Sequence, residues 1–339
     1  MNVPPFRPLL PNRPARARVE VTGVYSMASF GSCARVRFPS QMRNQNQNLG
    51  SSRARRWFGY LWHEWIGERW RPIAPAFARP NPAEWSDNRI TAAWLGHATV
   101  LINFFGIKIL TDPVLFPRIG VRLPGLTISP KRLTASALTV RDLPKIDIVL
   151  LSHAHFDHFD MRTLHRFHRS TTVITAHQTS DLLRWTRFRD VSELRWQSTS
   201  AGKIDITAFR VKHWGARKQR DTYRGYNGYV FERNNRRIIF SGDTALSDSF
   251  AELRASGPTD LAIMPIGAYN PWIHSHCTPE QAVHMANEAG AHFIMQVHHQ
   301  TFRFSAEGFR EPIERFQAAL HKTPERIALR EIGEKFVLP

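Results

Sequence analysis

The chain has 339 residues and carries 46 Lys+Arg against 28 Asp+Glu, a formal net charge of +18 at pH 7. With 42% hydrophobic residues it can bury a large core, which excludes a wholly disordered chain. It contains no run of 18 apolar residues, and its two cysteines, Cys33 and Cys277, exclude a disulfide scaffold and a cysteine-built zinc site. The charge favours an anionic partner: nucleic acid, a membrane surface or a phosphate substrate.

The chain begins with a strongly basic stretch. Residues 1–85 hold 13 arginines, no lysine and 4 glutamates, which is half of the net charge. Within it, prolines alternate with arginines and a polar tract follows at 41–48. No apolar run of signal-peptide length is present, so this composition predicts a disordered basic leader over residues 1–52 rather than a secretion signal.

Residues 53–85 form a second segment with a different character. At helical spacing the tryptophans and other apolar residues of 53–71 fall within one broad arc, with arginines among the residues outside it. Such a basic, tryptophan-rich helix is typical of a membrane interface. The same pattern also suits a helix that packs its tryptophans on the main domain, and the sequence leaves both interpretations open.

Regular elements begin near residue 86. Short strands are predicted at 90–95, 99–105 and 107–110, and the apolar run 145–151 predicts a strand buried on both faces. Hairpins therefore come first and strand-helix alternation follows, which indicates mixed sheets covered by helices in one domain, 86–339. The later predictions are helices at 161–168, 179–187, 247–255, 278–289 and 309–321, and strands at 172–175, 203–212, 227–232, 236–241, 260–265 and 292–297.

The most informative motif follows the buried strand and reads HAHFDH. Side chains two apart in extended backbone point the same way, so His153 and His155 can chelate one ion. Asp157 and His158 come at the turn into the next helix and can reach a second ion. Imidazole and carboxylate together suit zinc, and also iron or manganese.

One loop cannot complete a metal site, and three other strand ends offer further ligands. His213, Asp243 and His298 each follow an apolar strand. The two oxygens of Asp243 could bridge two ions. As a set, these residues indicate a metal site far more specifically than any one of them does.

These motifs resemble the metallo-β-lactamase superfamily over roughly residues 90–320, within its N-acyl-phosphatidylethanolamine-hydrolysing phospholipase D-like branch. HxHxDH indicates the superfamily, whereas Gly96-His97-Ala98-Thr99 and Pro265-Ile266-Gly267-Ala268-Tyr269 point to the branch. Thr111-Asp112-Pro113, Lys212-His213-Trp214 and Ser241-Gly242-Asp243-Thr244 also fit it. The resemblance implies an α/β (α+β) fold, an αββα sandwich of two mixed sheets with helices outside.

The resemblance also implies roles for individual residues. Two zinc ions would be held, the first by His153, His155 and His213 and the second by Asp157, His158 and His298, with Asp243 bridging them. Asp157 and His276 would act in catalysis, on a hydroxide held between the two ions. More weakly implied pocket or supporting residues are His97, Tyr269, His274 and His299; at His299 the family often has an aromatic residue.

We therefore expect a zinc-dependent phosphodiesterase that cleaves a phospholipid. The alternatives are a metal hydrolase for small molecules such as a lactone or cyclic phosphate, a nuclease, and a non-catalytic membrane-binding protein. The expected partner is an anionic phosphodiester, with nucleic acid disfavoured and a homodimer compatible with the family. We expect a cytoplasmic protein; if segment 53–71 lies in a membrane interface rather than on the main domain, the protein associates peripherally with the inner face of the membrane.

Overall fold

The computed structural model describes residues 68, 70–123, 126–128, 130–218 and 220–339. The predicted leader 1–52 and almost all of segment 53–71 lie outside the described residues, so those two predictions stay predictions. In chain order the described strands are β1 Ile90–Gly96, β2 Thr99–Phe104, β3 Ile107–Thr111, β4 Val121–Leu123, β5 Leu126–Ile128, β6 Ile148–Leu151, β7 Thr172–Ala176, β8 Asp190–Leu194, β9 Ser198–Ala201, β10 Ile204–Phe209, β11 Gly228–Arg233, β12 Arg236–Phe240, β13 Thr259–Pro265, β14 Ala291–Val297 and β15 Lys335–Val337. The α-helices among these residues are α1 Met161–Leu164, α2 Ser249–Arg254, α3 Pro279–Glu288 and α4 Glu311–Ala319, with 3₁₀ turns at Pro82–Glu84, Ser180–Leu183 and Pro324–Arg326.

The strands form two mixed sheets and a small ribbon. The first sheet has the order β15-β1-β2-β3-β6-β7-β8. Within it the four strands β3, β6, β7 and β8 run parallel to one another. The second sheet has the order β14-β13-β12-β11-β10-β9, with β12, β13 and β14 parallel. Strands β4 and β5 pair only with each other. The prediction of two mixed sheets is confirmed.

Alternation along β13 shows how the layers pack. Leu261 and Ile263 join the core that both sheets share, whereas Ala262 and Met264 pack with side chains of α3 and α4 on the other face. Helices therefore cover the outer face of the second sheet, and α1 follows β6 of the first. The fold is the αββα sandwich that the family resemblance implied.

Several predicted elements are wrong in type or length. Helix 179–187 is only the 3₁₀ turn Ser180–Leu183, and the helix predicted at 161–168 ends at Leu164. Strands β8 and β9 are edge strands that the sequence did not predict. Their side chains are mostly exposed or half-buried, because an edge strand buries little and so lacks a clear apolar alternation.

The candidate ligands all follow strands whose carboxyl ends point to the same end of the sandwich. Strands β1 and β6 of the first sheet run in this direction, as do β10, β12 and β14 of the second. Ligands in open sheets gather at carboxyl ends of this kind. None of the helices in the described part of the chain is both long and apolar enough to cross a membrane.

Candidate metal centre

Three histidines form one compact group. His153 leaves the end of β6, and its Nε2 lies 2.8 Å from Nδ1 of His155. His213 reaches the same place from the loop after β10, with its Nε2 3.4 Å from His155 Nδ1. The loop position of His213 is fixed by Ser275, whose carbonyl oxygen lies 2.8 Å from the other ring nitrogen. The structure thus brings together the three residues that the resemblance assigns to the first ion.

A second group lies beside the first. Asp157 Oδ2 is 3.5 Å from His158 Nε2 and 3.7 Å from His298 Nε2. His97 completes the group, with its Nε2 3.0 Å from the same carboxylate oxygen. His97 is buried and bonded to Asp157, so it can orient that carboxylate.

Asp243 connects the two groups. Its Oδ2 lies 3.1 Å from Nε2 of both His158 and His298, and 4.0 and 3.8 Å from Nε2 of His153 and His213. One carboxylate oxygen is therefore within reach of imidazoles from both groups. This placement is what a bridging ligand needs.

The donor set fits metal ions. Four nitrogens or oxygens about 2.0–2.1 Å from a tetrahedral zinc are about 3.3 Å from one another, close to the separations found here. The Nε2 atoms of His158 and His298 and Oδ1 of Asp243 are also buried without a hydrogen bond. Buried polar atoms without a partner are uncommon, and several at one point indicate a bound group. The protein has a metal-dependent hydrolase fold with His/Asp clusters able to bind metal ions.

The electrostatics of the two groups differ. Burial lowers the pKa of His213 to about 3 and that of His155 to about 4. Burial would lower the pKa of His298 as well, but the carboxylates of Asp243 and Asp157 raise it to about 9. For Asp243 burial would raise the pKa, and the charges of His158 and His298 outweigh it and hold the pKa well below its usual range. Burial thus favours neutral imidazoles in the first group, whereas in the second the carboxylates and the imidazoles of His158 and His298 shift one another's pKa.

Asp112 is a site residue that the sequence reasoning did not assign. It follows β3, is fully buried, and its Oδ2 lies 2.6 Å from His158 Nδ1. Its two oxygens also accept hydrogen bonds from the backbone N–H and the hydroxyl of Ser152, at 2.7 and 2.5 Å. A carboxylate on the far nitrogen of a ligating histidine fixes the tautomer of the ring. The sequence offered two signals, the position of Asp112 at a strand end and the motif Thr111-Asp112-Pro113, but neither assigned it a role.

The remaining predicted site residues separate into near and distant ones. His276 lies close, with its Nδ1 3.9 Å from Asp243 Oδ2. His274 is exposed and joins none of the clusters among the described residues. The Tyr269 hydroxyl donates to Glu311 Oε1 at 2.8 Å on α4, so it is engaged outside the clusters. The placement of His274 and Tyr269 thus gives no support to the predicted pocket role. His299, in contrast, is buried next to His298.

The backbone around the centre is tightly constrained. His97 and His298 both have positive φ, at 55° and 64°, and the His298 N–H donates to the His97 carbonyl at 3.0 Å. Gly242 has φ +58°, and a Cβ there would lie 2.6 Å from the Cβ of Ser152. Glycine is therefore required where the loop that carries Asp243 passes the loop that carries His153.

Comparisons with known proteins agree with this geometry. A sequence profile described as "Beta-lactamase superfamily domain" matches residues 108–299. An uncharacterised protein of Mycobacterium tuberculosis is 33% identical over 76% of this chain and 71% of its own length. N-acyl-phosphatidylethanolamine-hydrolyzing phospholipase D 1 of Caenorhabditis elegans is 32% identical over 68% of this chain and 70% of its own length.

The fold is likewise shared with solved structures. A metallo hydrolase of the archaeon Ignicoccus hospitalis superposes with a TM-score of 0.57 at 18% identity, covering 74% of this chain and 98% of that one. At that identity the likeness concerns the fold alone. Together with the sequence matches, it establishes that the chain belongs to the metallo-β-lactamase superfamily, in its N-acyl-phosphatidylethanolamine-hydrolysing phospholipase D-like branch.

Proposed function

We propose that this metal-dependent hydrolase is a zinc phosphodiesterase that cleaves an N-acylated phosphatidylethanolamine. The observation that carries the proposal is the single oxygen of Asp243 shared by two ligand groups. Paired metal sites suit displacement at phosphorus, because both the attacking and the leaving oxygen need charge stabilisation. The name of the Caenorhabditis elegans relative supports the lipid substrate.

In this proposal the chain's own residues hold and orient the ions. His153, His155 and His213 would hold one ion, Asp157, His158 and His298 would hold the other, and Asp243 is placed within reach of both groups. When bound, the ions supply Lewis-acid stabilisation of the phosphoryl oxygens and a water of lowered pKa. Imidazole and carboxylate ligands without thiolate suit zinc, with iron and manganese as the alternatives.

Two residues are proposed to contact the reacting atoms. Asp157 Oδ2 is fixed by His97 Nε2, so this carboxylate is oriented before the substrate arrives and can accept a proton from the nucleophile. His276 Nδ1 lies 3.9 Å from Asp243 Oδ2 and could form a ligand group with His213 and Asp243; in this proposal its ring instead hydrogen-bonds the phosphate or the leaving oxygen. Burial lowers the pKa of His276, so the ring presents an acceptor as well as a donor at neutral pH.

Exposed aromatic side chains beside the centre support a lipid substrate. Trp214 is 52% exposed and its ring lies 4.4 Å from that of His155, measured between centroids. Trp272, in the loop before His276, is 55% exposed. Indole rings at a polar-apolar boundary are typical of contact with lipid headgroups. We propose peripheral membrane association that these residues and segment 53–71 share, and homodimerisation remains compatible with it.

The test is a chelator-controlled assay on protein of known metal content. Purified protein is incubated with N-acyl-phosphatidylethanolamine in mixed micelles, and phosphatidic acid and N-acylethanolamine are measured. His155→Ala is the inactive control and His284→Ala, an exposed histidine on α3, is the matched active control. Chelator-sensitive release of phosphatidic acid supports the proposal. Turnover of cyclic phosphates or lactones alone would replace it with the small-molecule hydrolase.

A further inference from the structure

An exposed tryptophan next to β9 is shared by two arginines. Trp196 is 45% exposed. The guanidinium carbons of Arg195 and Arg210 each lie 5.3 Å from the centroid of its ring. Within the described part of the chain, neither guanidinium forms an ion pair with a carboxylate. Two cations on one ring repel each other, so an anion bound beside them would stabilise the arrangement.

The backbone at Trp196 is strained. Its φ is +54°, in the left-handed region where a large side chain is uncommon. Such strain costs stability and is retained mainly where the side chain has a function. A cavity of about 180 Å³ beside the ring is lined by Arg195, His177 and Tyr223, and Tyr223 is itself 58% exposed. The indole is thus held outward, next to an open cavity.

The same surface continues to the metal centre. After β10, Arg210, Lys212 and Trp214 are exposed, whereas Val211 is buried and His213 turns toward the ligand group. This alternation indicates extended backbone, so at about 3.3 Å per residue the surface runs about 13 Å from Arg210 to Trp214. The ring of Trp214 packs against a ligating histidine. We call this surface the basic strip; it consists of Arg195, Trp196, Arg210, Lys212 and Trp214.

Backbone hydrogen bonds join the basic strip to the loop of the shared ligand. The Lys212 N–H donates to Thr244 Oγ1 at 3.1 Å, and the Lys212 carbonyl accepts from the Ala245 N–H at 2.8 Å. Thr244 and Ala245 directly follow Asp243. A group bound by the basic strip is therefore held at a fixed distance from the metal centre.

The composition of the basic strip indicates its partner. Exposed indoles beside arginine and lysine are typical of a bilayer interface, where the rings lie at headgroup depth and the cations contact anionic lipid. Single-stranded nucleic acid also combines charge with stacking, but its bases stack on successive rings. Here the rings of Trp196 and Trp214 lie at the two ends of the strip, with the cations between them. A lipid surface therefore fits better.

We propose that the basic strip binds anionic lipid headgroups of the membrane that contains the substrate, so that turnover at the membrane rises with its content of anionic lipid. The inference rests on the proposed function, because a phospholipid substrate is reached at a membrane surface. It goes beyond that function by assigning the contact to the folded domain and by requiring lipid of negative charge.

The experiment compares charge removal from the basic strip with equal charge removal elsewhere. The variant combines Arg195→Gln with Arg210→Gln. The matched control combines Lys203→Gln with Arg254→Gln, two exposed cations that precede β10 and β13 and so lie at the opposite end of the sandwich. Each protein is floated with phosphatidylcholine vesicles, with and without phosphatidylglycerol. Hydrolysis of N-acyl-phosphatidylethanolamine is measured in the same vesicles and, separately, in neutral detergent micelles.

The wild type and the control should bind the phosphatidylglycerol vesicles equally well. The strip variant should bind them about 25-fold less tightly, since each cation near an anionic surface contributes about fivefold. Its turnover in those vesicles should fall to match, while its turnover in micelles stays unchanged.

Three results would contradict the inference. A strip variant that binds and turns over like the control, or a wild type that binds both kinds of vesicle equally, would overturn it and leave the proposed function standing. Binding of single-stranded RNA that only the strip variant loses would replace lipid with nucleic acid as the partner. Absence of chelator-sensitive hydrolysis by the wild type in micelles would overturn the proposed function and this inference with it.

Discussion

Replacing Asp112 with Asn should weaken one of the two metal sites and spare the other. Asn has nearly the same size and tolerates the φ of +32° at this position, so the change isolates the charge. The Asn oxygen can still accept from the Ser152 N–H, but its amide group then faces His158 Nδ1 as a second donor. His158 would have to move its proton to Nε2, the atom that lies 3.1 Å from Asp243 and faces the ligand groups. A ring protonated there cannot bind a metal ion.

The expected loss of metal affinity follows from other metal sites, in which a carboxylate likewise hydrogen-bonds a ligating histidine. Loss of such a partner weakens metal binding by about ten- to a hundredfold, or about 1.4–2.8 kcal/mol. The assay is zinc titration against a chromophoric chelator, which resolves the two sites, with near-UV circular dichroism as the check on folding. Asp142→Asn is the matched control, because Asp142 also accepts a backbone N–H and a hydroxyl, both from Thr139, away from the centre. Two unchanged zinc affinities in folded Asp112→Asn protein would refute the reasoning.

Three further predictions concern the shared ligand, the metal and a distant ion pair. Asp243→Ala should reduce bound metal to one ion per chain or fewer and lower turnover by about 10³-fold or more, since several kcal/mol depend on both ions; elemental analysis with kinetics checks this, and retained two-metal stoichiometry would contradict it. Chelation should lower the thermal midpoint, because an ion present at 1,000 times its Kd contributes about 4 kcal/mol to the folded state; a melting curve indifferent to chelator would count against a metal held by the native fold. Hydrogen bonds from Arg224 hold the pKa of Asp181 below its usual range, so the stabilisation is complete above about pH 4 and is lost as the pH falls through the lower folded-state value. Asp181→Asn should therefore be less stable than wild type to urea at pH 7, and the difference should vanish in acid; a difference independent of pH would exclude this cause.

The sequence predicted the parts of the site that local spacing defines. His153 and His155 are two apart after a buried strand, and alternation alone places both side chains on one side. His213, Asp243 and His298 lie near these two histidines because the strands that precede them end at the same end of the sandwich.

Other parts of the site depend on tertiary contacts that no spacing encodes. Asp112 precedes His158 by 46 residues along the chain, and its role appears only once β3 lies beside β6. The carbonyl of Ser275 that fixes His213 is a backbone atom, which any residue type could supply. Strands β8 and β9 were missed because their pairing is set by neighbouring strands, while their own side chains remain largely exposed.

The side chains of the metal centre come from both sheets, and this affects where the protein begins to unfold. His153 and His158 belong to a loop of the first sheet, whereas His213, Asp243 and His298 follow strands of the second. Ions held between them would form a cross-link at one end of the sandwich, comparable to a disulfide that closes a long loop. Thermal opening of the loaded protein should therefore begin at the opposite end, where apolar packing and hydrogen bonds from Arg233 to the Phe104 and Phe105 carbonyls join the sheets. In hydrogen exchange, amides beside the centre would then be protected longer than those at the amino ends of the same strands.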